Sequence, residues 1–169
     1  KILNLLTFFI NKRFILFAQF LLPMKGFFAM ISCLIMTAFK KIVVIGAGTM
    51  GSGIAAHLAN SKRDVVLLDL KGKGSPNEIS ERALDIIKKS DPPLLVEKSR
   101  LDFIKPGNLT DDFDQIKDAD WIIEAVVERI DIKHQLYAKI DKVRNSNSIV
   151  SSNTSTIPLS VLTLEMSET

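Results

Sequence analysis

Residues 40–60 read KKIVVIGAGTMGSGIAAHLAN, and the fold turns on them. The run over residues 42–45 is short, continuous and apolar, as a strand buried on both faces requires. Gly46-Ala47-Gly48-Thr49-Met50-Gly51 follows, and after it a helical pattern. A lone G-x-G-x-x-G is weak, because glycines cluster in ordinary turns. Placed between a strand and a helix, it describes a turn that receives a dinucleotide pyrophosphate. Gly46 allows the tight turn, Gly48 lets the backbone approach the ligand, and Gly51 lets helix and strand pack closely. The helix start, from Thr49 and Met50 onward, offers unpaired N–H groups to the phosphates.

The next apolar run, DVVLLDL over residues 64–70, carries Asp69 near its end, some 23 positions after Gly46. An acid there accepts hydrogen bonds from the adenosine ribose and repels a 2′-phosphate, which favours NAD over NADP. Lys71 and Lys73 follow closely and blur that choice. The alternative is a glycine turn in an α/β protein without a nucleotide. His57, inside the first helix, reads as a surface or packing residue, and no Cys/His/carboxylate spacing resembles a metal site.

Downstream, KGKGSPNEISERALDIIKK predicts a helix capped by Ser75, with Pro76 in its first position, Glu78 completing a capping box, and an end near Lys89. RLDFIKPGNLTDDFDQI reads as a strand at 101–104, a Pro-Gly-Asn turn and a short acidic helix. Asp111, Asp112 and Asp114 are read as acids that complement that helix's dipole, and not as metal ligands. Residues 121–125 are strand-like; beyond Glu128, Ile132, Leu136, Ile140 and Val143 form a helical stripe. Glu124 ends an apolar strand, where a carboxylate needs a partner or a ligand. Glu128 and Lys133 flank the helix start at the carboxyl edge, where nucleotides bind in such folds. Finally, SIVSSNTSTIPLSVLTLEMSET, residues 148–169, gives a strand, a hydroxyl-rich turn and the beginning of a helix.

The pattern predicts a doubly wound α/β domain of Rossmann type, with strands near 41–45, 64–69, 101–104, 119–125 and 148–152 in spatial order 3-2-1-4-5. The last strand is expected to be an unprotected edge.

Charge is unevenly spread. Residues 1–39 hold four basic residues (Lys1, Lys12, Arg13, Lys25) and no acid, while the remainder holds 18 basic residues against 19 acidic ones. The basic balance therefore belongs to the leader, and no basic stripe with interleaved aromatics supports nucleic-acid binding. Cys33, the single cysteine, excludes an intrachain disulfide and fits a reducing, cytoplasmic setting. Residues 1–35 are apolar enough to raise a membrane span or signal peptide. A central strand begins directly after them, and their residues are those of A/T-rich codons. They are read as a spurious upstream extension in preference to a membrane-associated segment, with the domain running over 36–169 from Met36.

Three stretches, KIVVIGAGTMGSGIAAHLAN, WIIEAVVERIDIK and SSNTSTIPLS, together resemble the NAD-binding domain of 3-hydroxyacyl-CoA dehydrogenases, above all the large bacterial enzymes of fatty-acid β-oxidation. The resemblance implies that Gly46, Gly48 and Gly51 hold the pyrophosphate and Asp69 the ribose. It implies that Glu128 and Lys133 contact the cofactor near its nicotinamide half. Ser155 matches the serine that contacts the substrate's C3 oxygen, and Asn153 the asparagine of the same turn. The family's base is a histidine held by a glutamate, in a GLHFFNP-like segment beyond residue 169; His57 and His134 match neither role. The chain is therefore expected to be an incomplete dehydrogenase, lacking the C-terminal helical domain, that binds NAD and does not turn over a 3-hydroxyacyl-CoA alone. A homo-oligomer or a separate chain supplying the other half are the expected partners. A stand-alone NAD-binding or redox-sensing module is the alternative.

Overall fold

The computed structural model describes residues 39–166. The chain divides into two units at residues 38 and 39. The leader over 1–35, Cys33 and the start at Met36 lie outside the described residues, as do residues 167–169.

The glycine-rich stretch forms strand β1 (Lys41–Ile45), a turn, and helix α1 (Thr49–Asn60). Strand β2 (Asp64–Asp69) and helix α2 (Glu78–Lys89) follow. Strand β3 (Ile104–Asn108) leads to β4 (Trp121–Glu124), then helix α3 (Ile130–Val143), strand β5 (Ile149–Ser152) and a single turn of helix α4 (Leu159–Leu162). All four strand pairings are parallel and the order is β3-β2-β1-β4-β5, as the sequence predicts.

The sheet is buried on both faces, which explains why its central strands read as unbroken apolar runs. On one face Val43, Ile45, Val66, Leu68 and Ile122 pack with Leu136, Tyr137 and Ile140 of α3. Alternation puts Ile42, Val44, Val65 and Leu67 on the other face, where α1 and α2 pack. Residues 122 and 124 of β4 alternate with 121 and 123, so Glu124 is directed to the α3 side. The α3 stripe is rotated from the expected one: Lys133, Leu136, Tyr137 and Ile140 are its buried residues, and Ile132 is only half-buried.

Three local expectations are corrected. The strand predicted at 101–104 lies at Ile104–Asn108, and residues 101–103 belong to a 3-10 turn over Lys98–Phe103. The Pro-Gly-Asn sequence is thus strand and not turn. β3 is an edge strand paired only with β2. The Leu109 N–H donates to the Asp69 carbonyl at 2.8 Å, and a period of two from there leaves Pro106 on the outer side, where no N–H is needed.

Helix α2 begins at Glu78 and not at Pro76. Ser75 caps nothing with its side chain; its hydroxyl meets Glu81 Oε2 at 3.2 Å. The segment before the helix closes on itself, with the Gly72 N–H donating to the Pro76 carbonyl and the Glu78 N–H to the Ser75 carbonyl. Glu78 Oε2 accepts from the Gly74 N–H at 3.2 Å instead of from Ser75.

The short acidic helix is a single 3-10 turn over Phe113–Ile116, with Asp112 at its N-cap position and Asp114 in its first turn, while Asp111 stands before it. Asp112 accepts the Asn108 N–H at 2.9 Å, Asp111 pairs with Lys71, and Asp114 pairs with Lys117.

Candidate cofactor and substrate edge

The loops that leave β1, β2, β4 and β5 at their carboxyl ends collect the predicted site residues along one edge of the sheet. In open α/β sheets this edge is where ligands bind, between strands whose connections run in opposite directions. The switch point here lies between β1 and β4, which are neighbours in the sheet.

The glycine turn separates its three glycines by function. Gly46 has φ +106°, and a Cβ there would stand 2.5 Å from the Ala125 carbonyl oxygen. A Cβ on Gly51 would stand 1.7 Å from the Gly46 carbonyl oxygen. Both glycines are demanded by the protein's own packing. Gly48 is not: a Cβ there meets nothing within 4 Å, and the residue is exposed. The bare backbone at Gly48 thus faces open room at the first turn of α1, where N–H groups have no intrahelical carbonyl. These residues fit a pyrophosphate. Thr49 and Met50 occupy that turn and are exposed, Met50 at 57%.

Asp69 closes the end of β2 onto this turn. Its Oδ2 accepts the Ala47 N–H at 2.5 Å and its Oδ1 the Leu70 N–H at 2.6 Å. A carboxylate can accept about four hydrogen bonds, so both oxygens retain capacity for ribose hydroxyls.

Around β4 and α3 the carboxylates and the lysine form one network. Glu124 and Lys133 are the only ion pair among the described residues whose side chains are both almost fully buried, at 0% and 1% exposure. Glu124 Oε1 accepts from Lys133 Nζ at 2.7 Å and from the Val126 N–H at 2.8 Å. Its Oε2 accepts from the Tyr137 hydroxyl at 2.9 Å and from Ser152 Oγ at 2.5 Å. Four donors from three elements therefore satisfy one carboxylate, and burial, aided by the Glu124 charge, pushes the Tyr137 hydroxyl well above its ordinary pKa.

Lys133 also reaches Glu128 Oε2 at 3.2 Å. Glu128 in turn accepts hydrogen bonds from the Thr154 hydroxyl and, at 2.9 Å, from Thr156 Oγ1. The Thr154 hydroxyl is the chief cause that holds the Glu128 pKa down at about 2, with Thr156 and Lys133 adding to it. The two threonines flank Ser155, which is exposed. Asn153 is exposed too, and its N–H continues the β4–β5 ladder to the Glu124 carbonyl at 2.8 Å.

The expected residues thus meet at one edge, but three partners were not legible beforehand. Thr154 and Thr156 sit in a hydroxyl-rich turn where the sequence alone does not say which hydroxyl meets which partner; Pro158 precedes α4 without a capping side chain. Tyr137 had a signal: it follows Lys133 by four residues, one helical turn. The two histidines stand elsewhere. His57 lines an apolar groove of about 300 Å³ between α1 and β4, with Met50, Ile54, Leu58, Trp121 and Ile123. His134 Nε2 donates to the Val161 carbonyl at 2.8 Å. No group of three His, Cys, Asp or Glu side chains among the described residues could hold a metal ion, and no helix among them is long and apolar enough to cross a membrane.

Residues 41–169 match the family described as 3-hydroxyacyl-CoA dehydrogenase, NAD binding domain. A Rickettsia felis protein, named for the trifunctional enzyme of a fatty acid oxidation complex, is 49% identical over 122 residues, which are 71% of this chain and 17% of the relative. A probable 3-hydroxyacyl-CoA dehydrogenase of Deinococcus radiodurans is 43% identical over 71% of this chain and 35% of its own length. Among solved structures, 3-hydroxybutyryl-CoA dehydrogenase of Escherichia coli superimposes with a TM-score of 0.64 at 29% identity, covering 76% of this chain and 27% of that one. The chain spans less than a fifth of the Rickettsia relative and about a third of the Deinococcus one.

Proposed function

Since the chain belongs to the family of 3-hydroxyacyl-CoA dehydrogenase NAD-binding domains, we propose that it is the cofactor-binding portion of an NAD-dependent dehydrogenase that oxidises 3-hydroxyacyl-CoA to 3-ketoacyl-CoA. NAD, when bound, supplies the acceptor for the hydride that leaves C3. The chain's own residues bind and orient. Gly46 and Gly51 shape the turn, Gly48 admits the pyrophosphate, and the first N–H groups of α1 at Thr49 and Met50 complement its charge. Asp69 accepts from the adenosine ribose. Glu128 takes ribose hydroxyls on the nicotinamide side, held from beneath by Lys133. Asn153 and Ser155 lie on the turn after β5, and Ser155 donates its hydroxyl hydrogen bond to the C3 oxygen of the substrate.

The observation that carries this reading is the open room over Gly48, a glycine that the protein's own packing does not require. The hydroxyl proton at C3 needs an acceptor. His57 sits in the α1 groove and His134 is bonded to a backbone carbonyl, so the acceptor is assigned to a group outside residues 39–166. A cytoplasmic location belongs to the same proposal, and the absence of cysteine from residues 36–169 is compatible with it.

The test is a calorimetric titration of the full chain with NAD and with NADP, beside an Asp69→Ala variant. Saturable NAD binding, weakened about tenfold or more by the substitution (1.4 kcal/mol per tenfold), supports the proposal. A folded chain that ignores NAD overturns it. Turnover of a 3-hydroxyacyl-CoA is expected to be absent for the chain alone.

A further inference from the structure

Two lysines follow Asp69, at positions 71 and 73. Such cations next to a ribose-binding acid would attract the 2′-phosphate of NADP, through charge and hydrogen bonds together. Lys71, however, is engaged. Its amine lies 2.9 Å from one carboxylate oxygen of Asp111 and 3.0 Å from the other.

Asp111 is not a passing surface partner. It stands just beyond β3, and its N–H donates to Asn108 Oδ1 at 2.8 Å. Asn108 Nδ2 returns a hydrogen bond to Asp111 Oδ2 at 3.1 Å. Asn108 is 1% exposed and is itself held by Asn77 Oδ1 at 2.7 Å. Both side chains are exposed, Lys71 at 43% and Asp111 at 46%, but the carboxylate is the member tied by hydrogen bonds to Asn108 at the end of β3. Exposed pairs of this kind contribute little to folding. A lysine paired with a carboxylate offers less charge to a neighbouring anion than a free one.

We infer that Asp111 is a specificity residue for the cofactor: by holding the Lys71 amine on β3, it withholds from a 2′-phosphate the cation that stands two residues after Asp69. The inference rests on the cofactor reading above and adds to it a residue outside the ribose-binding acid. Lys73, in the Gly72–Gly74 turn, makes no ion pair among the described residues, so the Lys71→Met variant separates the two lysines.

The experiment measures NADH fluorescence on the full chain at about 50 mM salt, with NAD and NADP as competitors; low salt keeps surface charge effects unscreened. Asp111→Asn keeps an oxygen for the Asn108 amide and frees Lys71. It is expected to tighten NADP about fivefold and to leave NAD within about twofold, since only NADP carries the phosphate that a freed Lys71 attracts. Adding Lys71→Met to that variant is expected to erase the gain. Asp114→Asn removes an equal charge from a carboxylate paired with Lys117, and is expected to change neither ligand. Asp111→Ser provides the same readout should the Asn variant not fold.

NADH binding with no NADP shift in either Asp111 variant overturns the specificity role alone. An equal shift from Asp114→Asn, or a gain that survives Lys71→Met, does the same, because net charge and not the pair would then be responsible. A folded parent chain that binds no NADH overturns this inference and the cofactor reading together.

Discussion

Lys133 Nζ and Glu124 Oε1 face each other at 2.7 Å with both side chains almost fully withdrawn from water. Isolated burial of either charge would be prohibitive, and the pair persists because each member is hydrogen-bonded beyond its partner. Glu124 has the Val126 N–H, Tyr137 and Ser152; Lys133 has Glu128. The pair joins β4, α3 and the end of β5 at the root of the Asn153–Ser155 turn. Replacing Lys133 by Met is expected to cost about 3 kcal/mol or more, the usual penalty for orphaning a buried charge. The double variant Glu124→Leu/Lys133→Met is expected to recover at least half of that, because no orphan remains. Urea unfolding of the four members of the cycle reads the coupling directly. Additive losses would show that the two charges do not depend on each other.

Glu128 is expected to contribute to the acid limb of stability. Its pKa is held down to about 2 by the Thr154 hydroxyl first, then by Thr156 and Lys133. A carboxylate depressed in the folded state adds stability that is fully present above the unfolded carboxylate range of about 4.5 and is lost as pH falls toward 2. The melting temperature is therefore expected to fall over that window, with a shallower fall in Glu128→Gln. Mobility of the turn at 154–156 should rise over the same window, read by amide exchange at Thr156. An unchanged acid limb in the Gln variant would assign the effect to other carboxylates.

How far the sequence carries the fold depends on what each signal encodes. The glycine turn, the apolar runs of β1 and β2 and the acid at Asp69 were legible because local backbone geometry and burial dictate them residue by residue. β3 was misplaced because Pro106 and Gly107 speak for a turn locally, and only the edge position beside β2 makes a proline harmless there. Ser75 was misread for a related reason: the capping signature was present, but the Gly72–Pro76 closure took up the groups first. At the site, Glu124 announced itself as a carboxylate in an apolar strand. Its partners came from positions 9, 13 and 28 residues away, and no local pattern couples such distances.

The β5 edge is the place to look for self-association. Among the described residues β5 pairs only with β4, and Ile149 on it is 43% exposed. An open edge with an exposed branched residue is a template for pairing with another strand. Ile149→Lys is expected to lower any concentration-dependent association of the full chain without lowering its melting temperature by more than about 2 °C, since an exposed substitution of this kind stays within about 0.5 kcal/mol. Sedimentation velocity over a range of concentrations decides it. Association that is indifferent to the lysine would move the contact away from β5.

Gly46 and Gly48, two residues apart, differ in what packing asks of them, and the proposed cofactor site draws on the second. Gly46→Ala must place a Cβ 2.5 Å from the Ala125 carbonyl oxygen at φ +106°, so it is expected to lose at least about 2 kcal/mol of stability. Gly48 has φ −70° and ψ −174°, which an alanine adopts freely, and open room for its methyl group. Gly48→Ala should therefore leave stability unchanged or raise it by about 0.5 kcal/mol, through a less entropic unfolded chain. The same methyl group would fill the space proposed for the pyrophosphate, so NAD affinity is expected to fall about tenfold or more, equivalent to 1.4 kcal/mol. Thermal melts and NAD titrations of the two variants check both halves. A Gly48→Ala chain that melts normally and binds NAD as before would remove the turn from the cofactor site, whatever its sequence suggests.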